Sequence, residues 1–203
     1  MMIQGVSINE MISQSMTVLT KPSIQSFEQF ERRGGQREAL IYVGVAATIG
    51  AILSAIFGLI GGGVAGAIGG LIGGLVLPLL SFFVSAWLIY TVGKSQGGTG
   101  TQDEVFYTVA LYLAPILAIN GVIGSNALFA CLAFPVSLAL GIYGIYLGYL
   151  AIRASMNLDQ NKAIITMVLA FIAQVVIGIV VASVLGAIGL GAAAASGALN
   201  TAP

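Results

Sequence analysis

Five stretches of this chain, residues 39–60, 71–93, 105–123, 127–151 and 163–190, carry no charged side chain and are almost wholly apolar. About 20 residues at 1.5 Å rise each carry an α-helix across the ~30 Å hydrocarbon core of a bilayer. Lipid offers the backbone no hydrogen bonds, so runs of this kind are viable there as helices that satisfy their own amides. The chain is therefore read as an all-α membrane protein, a five-transmembrane-helix bundle preceded by short amphipathic interfacial helices. Composition agrees, because only 7% of the 203 residues are charged against roughly 25% in soluble domains. Three regions follow: a cytoplasmic amphipathic leader at 1–38, the five-helix transmembrane domain at 39–190, and an external flexible tail of Ala, Gly and Ser at 191–203.

Within the leader, Ile8, Met11, Ile12, Met16 and Leu19 recur at spacings of three and four, with Asn9, Glu10, Ser13 and Gln14 between them. That periodicity describes an amphipathic helix. Pro22 stops it, and Ile24, Phe27 and Phe30 form the apolar side of a second short segment ending near Arg33. Two placements suit such helices: apolar faces sunk into the headgroup boundary, or packing on one another and on the bundle. Glu10, Glu28 and Glu31 interrupt this region, so it does not read as a cleavable signal peptide.

Charge distribution sets the orientation. Lys21, Arg32, Arg33 and Arg37 precede the first run, Lys94 lies between the second and third, and Arg153 and Lys162 lie between the fourth and fifth. With five crossings all of them fall on one side, which the positive-inside rule makes cytoplasmic. The N-terminus is then cytoplasmic and the C-terminus external, as expected of a multi-pass protein of a bacterial inner (plasma) membrane. Zero net charge and the lack of a basic patch exclude a nucleic-acid partner.

No enzyme is expected. Histidine is absent, which excludes HExxH zinc sites and Ser-His nucleophiles. No ionisable acid or base stands within the five runs, and Cys131 lies in an apolar stretch with nothing to activate it. Ser81, Ser85 and Ser137 likewise have no base in reach. Glu104, Asp159 and Lys162 sit at adjoining run ends, where solvated charges are the ordinary outcome. Neither a cofactor nor a metal is called for.

Glycine spacing is the most conspicuous local pattern. Gly58, Gly62, Gly66, Gly70 and Gly74 recur every fourth residue, as in small-residue faces that bring helices close together. The reading divides them into an outer turn at residues 61–63 and a packing face formed by Gly66, Gly70 and Gly74. Gly141, Gly144 and Gly148 are candidates for similar packing in the fourth run, where Tyr143, Tyr146 and Tyr149 supply interfacial rings. Asn120 and Gln174 are the strongest intramembrane polar candidates, each able to hydrogen-bond between helices for about 0.6–2 kcal/mol. Pro78, Pro115 and Pro135 are positioned to kink the second, third and fourth runs.

Several short motifs resemble the bacterial branch of the Yip family, the Ypt/Rab-interacting multispan membrane proteins with a Yip1-type domain. They are Pro22 with Phe27, Glu38-Ala39-Leu40, Gly97-Gly98-Thr99-Gly100-Thr101, Pro115, and Ala151-Ile152-Arg153 leading to Lys162-Ala163. The resemblance covers about residues 20–188 and implies five spans with a cytoplasmic N-terminus. Eukaryotic members carry an acidic-Leu-Tyr-Gly-Pro motif that this leader lacks, so small-GTPase binding is not expected of it. The expected function is that of a non-enzymatic membrane organiser or adaptor whose partners are membrane lipids and other membrane proteins or further copies of itself. The alternatives are a small transporter or channel subunit built around Asn120 and Gln174, or an accessory subunit of a larger membrane complex.

Overall fold

A computed structural model describes residues 5–124 and 130–200, and all regular secondary structure among them is α-helical. In order the helices are α1 Ile8–Thr20, α2 Ile24–Glu28, α3 Gln36–Ser95, α4 Gln102–Gly124, α5 Ala130–Met156 and α6 Gln160–Asn200. Among the described residues, α3, α4, α5 and α6 are long and apolar enough to cross a membrane. The expected start of the fourth run at Ala127 lies outside the described residues.

Each leader helix begins at a serine that caps it. Ser7 accepts from the Glu10 amide at 3.3 Å while the Glu10 carboxylate accepts from the Ser7 amide at 2.9 Å, a reciprocal capping box. Ser23 caps α2 in one direction, accepting from the Ser26 amide at 3.1 Å. The caps of α3 and α4 are interlocked. Asp103, in the first turn of α4, accepts from the Gln36 amide that opens α3 at 3.0 Å, while Glu104 accepts from the Thr101 amide at 2.8 Å.

At 60 residues α3 is far longer than one crossing needs. Gly63, at φ 60° and ψ −151°, breaks it into two helical arms, 36–62 and 64–95. That backbone region is essentially open to glycine alone. The arms return along one another. A Cβ built on Gly66 would strike the Gly58 carbonyl, one on Gly70 the Ser54 carbonyl, and one on Gly74 would lie 2.6 Å from the Ala51 Cα. Stepping forward along one arm thus steps backward along the other, which is antiparallel register. The reversal takes a single residue, whereas the sequence suggested a looser turn over residues 61–63; Gly61 and Gly62 are helical.

Helix α4 is the centre of the bundle. Residues 105–112 are buried without interruption, and a helix covered on every side has neighbours all round it. Phe82 and Phe83 of α3 meet Phe106 edge-on at 5.8 and 5.4 Å, while Phe27 of α2 meets Tyr112 at 6.5 Å. The core clusters toward the charged ends of the helices. Outward faces are apolar along much of α3, α5 and α6, with Ile56, Ile72, Ile142, Phe171 and Ile179 all exposed.

Two features depart from the sequence reading. The α6 helix continues to Asn200, past the end expected at Leu190, and the run Ala192–Ala195 supplies the residue type with the best helix propensity. The second is the facing of the leader, whose helices take one of the two placements the sequence left open and pack on the bundle, α1 against α4 and α2 against α5. The inward face of α1 is Met11, Gln14, Ser15 and Val18, leaving Ile8, Ile12 and Met16 38%, 47% and 57% exposed.

Candidate functional site

The first candidate site is the junction between leader and bundle. Three tyrosines from three long helices fasten α1 to them. Tyr107 of α4 donates to Gln14 Oε1 at 2.7 Å, Tyr42 of α3 donates to Ser15 Oγ at 2.9 Å, and Tyr143 of α5 donates to the Leu19 carbonyl at 2.5 Å. The polar side chains turned inward on α1 thus meet the phenols that the bundle buries. Sequence periodicity had placed Gln14 on the polar outer face of the leader. The missed signal lay in the bundle, where Tyr42 and Tyr107 need a polar partner if they are buried.

Beside this junction lies a small charged cluster. Arg32 Nε stands 3.1 Å from Glu104 Oε1 and 3.4 Å from Glu31 Oε1. The Glu31 side chain is 8% exposed and its Oε2 has no hydrogen-bond partner. Burial, with the Glu104 carboxylate nearby, pushes the Glu31 carboxyl up to about 7, against the partial opposing pull of Arg32. Among the described residues, Lys162 forms no ion pair with Glu104 or Asp159, and Glu104 pairs with Arg32 instead. The described residues also contain no group of three His, Cys, Asp or Glu side chains placed to share a metal.

The glycine motif before α4 is a docking loop. Gly97 has φ +89°, a Cβ on Gly100 would strike the Ser155 carbonyl, and the Thr99 amide donates to the Met156 carbonyl at 3.0 Å. Asn157, itself at φ 52°, donates to Thr99 Oγ1 at 3.2 Å. This loop ties the end of α3 to the end of α5 at the charged face.

The second candidate site is a groove of about 250 Å³ bordered by α3, α4, α5 and α6. Ser85, Tyr112, Gly144, Gly148, Met167 and Gln174 are among its lining residues, and Gly141 also faces it. Gly148 meets the Tyr112 hydroxyl and Gly144 meets Ile116, whereas a Cβ on Gly141 would find nothing within 4 Å. Gly141 therefore borders open groove and not a neighbouring helix. Gln174 lines the groove with its Oε1 buried and unpartnered. Asn120 lies elsewhere and accepts from Ser137 Oγ at 3.0 Å, a link between α4 and α5. Cys131 lies within α5, its side chain outside the described residues.

Long apolar helices with lipid-compatible outward faces, joined on one side by charged loops, define a multi-pass membrane protein. The chain belongs to the Yip family: the family described as Yip1 domain matches residues 16–183, from the second half of α1 through α3, α4 and α5 and into α6. No curated protein and no solved structure matches it.

Proposed function

We propose that this chain is a non-enzymatic membrane organiser or adaptor that acts through helix, lipid and partner contacts. In this reading the two arms of α3 cross separately, giving five crossings with the N-terminus and all basic residues on the cytoplasmic side of a bacterial plasma membrane. The observation that carries it is the fastening of the leader to three long helices through Tyr107, Tyr42 and Tyr143. A leader held in this way is a fixed cytoplasmic surface joined to an apolar bundle, which suits a scaffold. Gly66, Gly70 and Gly74 serve as the close-packing face between the α3 arms. On the outside of α1, Ile8, Ile12 and Met16 adjoin the exposed Val45 and Ile49 of α3 around a second apolar groove, which supports lipid contact along the leader.

The test is extraction of the full chain in gentle detergent or polymer discs, followed by identification of co-purifying proteins and lipids. The organiser reading expects a reproducible set of partners that a Tyr107→Phe, Tyr42→Phe double variant loses. An unchanged set would count against a leader-borne adaptor role. The unpartnered Gln174 amide favours one alternative, a small transporter or channel subunit, and solute flux in proteoliposomes abolished by Gln174→Leu would establish that instead.

A further inference from the structure

We propose that the groove bordered by α3, α4, α5 and α6 binds a single glycerophospholipid with an anionic headgroup, its acyl chain over Gly141, Gly144 and Gly148 and its ester oxygens at Tyr112. This rests on the reading of the chain as a lipid-contacting membrane protein. Glycine supplies the width, since Gly141 has no neighbour within 4 Å and side chains at Gly144 and Gly148 would narrow the channel toward Ile116 and Tyr112. Ile89, Leu113, Leu140, Ile145 and Met167 make the walls apolar. From Ile152 to Leu140 the helical rise gives a trough about 18 Å long, the scale of an extended acyl chain.

Tyr112 gives the site a polar requirement. It is 8% exposed and makes no hydrogen bond among the described residues, and its hydroxyl is the atom nearest a Cβ built on Gly148, at 3.2 Å. The phenol is thus directed at the groove floor with its hydroxyl open to the groove, where an unpaired donor among apolar walls calls for an acceptor. An acyl ester carbonyl is an uncharged acceptor suited to that depth. Arg153 stands one residue beyond Ile152, with Nε buried and unpartnered and one terminal nitrogen 3.3 Å from the Tyr149 hydroxyl. Five residues of helix put it about 8 Å from the level of Gly148, close to the separation that a glycerol unit imposes between phosphate and ester. A guanidinium there favours a negatively charged headgroup. Gln174 marks the inner end of the trough, about 21 Å along α6 from its start.

The experiment uses the full chain in phosphatidylethanolamine vesicles doped with phosphatidylglycerol that carries a diazirine in one acyl chain, with photolysis and mapping of labelled peptides. Labelling is expected to concentrate on residues 141–152 and 167–174, severalfold above the outward α3 positions Ile52 and Ile56. Gly144→Leu and the milder Tyr112→Phe should each lower groove labelling severalfold and leave α3 labelling unchanged. Labelling spread evenly over all outward faces and insensitive to both variants overturns the site, since that is surrounding lipid only. Equal groove labelling by a diazirine phosphatidylethanolamine probe overturns the anionic preference and with it the role of Arg153. Loss of labelling from α3 as well would instead overturn the membrane-embedded reading on which the site rests.

Discussion

Tyr107 and Gln14 are 93 residues apart in sequence and joined by a buried 2.7 Å hydrogen bond, and the same tyrosine ring fills the space beside Gly34 that any Cβ would occupy. One side chain of the central helix therefore fixes both ends of the leader. Tyr107→Phe leaves the Gln14 carbonyl buried without a donor, at a cost of about 1–3 kcal/mol. Hydrogen exchange of the α1 amides should then speed up markedly. Adding Gln14→Leu removes the orphaned acceptor and should restore most of the protection; a double variant as labile as the single one would show that the bond is not what holds α1.

The α3 arms offer a paired test. Gly70→Leu drives a side chain into the Ser54 backbone, whereas Gly69→Ala adds a methyl group where nothing lies within 4 Å. Overpacking of the first kind costs about 1–3 kcal/mol, while the second exchanges glycine for a better helix former and gains about 0.5–1 kcal/mol. Thermal unfolding in detergent should move in opposite directions for the two. Equal shifts would contradict the close antiparallel register.

Docking of the leader should depend on pH through Glu31. Its carboxyl is raised to about 7 from 4.5, so the docked state keeps a proton that the undocked chain loses. The stabilising contribution is full below about 4.5 and falls away as pH rises through about 7. Protection of the α1 amides, taken as hydrogen-exchange protection factors so that the intrinsic pH dependence of exchange cancels, should weaken from pH 5 to pH 8. Glu31→Gln should flatten the profile. A Glu31→Gln profile as steep as wild type would assign the titration to another group.

Orientation is tested in a Cys131→Ser background by single cysteines placed at Gly5, Gly61 and Asn200. The five-crossing arrangement expects Gly5→Cys to react from the cytoplasmic side only, and Gly61→Cys and Asn200→Cys from the external side only. Cytoplasmic labelling at position 200 would remove one crossing.

What the sequence disclosed and what it concealed divide along physical lines. Lys94 and Arg153 mark helix ends because a charge is costly in lipid, so the extents of α3 and α5 were legible to within a few residues. The run Gly61-Gly62-Gly63 announced a turn because glycine is costly in a helix, but it did not show that Gly63 alone makes it or that the second arm begins well before Leu71. The facing of α1 was not legible. Amphipathic periodicity locates the inside of a helix only when the outside is water, and in the lipid-contacting arrangement proposed above the outside of Ile8, Ile12 and Met16 is apolar too. Gln14 and Ser15 turn inward because Tyr107 and Tyr42 wait there, a fact carried by residues far along the chain. The groove escaped notice for a similar reason: Gly144 and Gly148 look alike in sequence whether they admit a helix or a lipid chain, and only the hydroxyl of Tyr112 separates the cases.

The break at Gly63 bears on how such a chain enters a membrane at all. Between Glu38 and Lys94 there is no charged residue, and the reversal between the arms spends no polar loop. Both arms can therefore partition together as a preformed hairpin, with no hydrophilic segment dragged through hydrocarbon. In the five-crossing arrangement proposed above, insertion of this half then carries no charge across the membrane, and lengthening the turn with a few charged residues would add that cost.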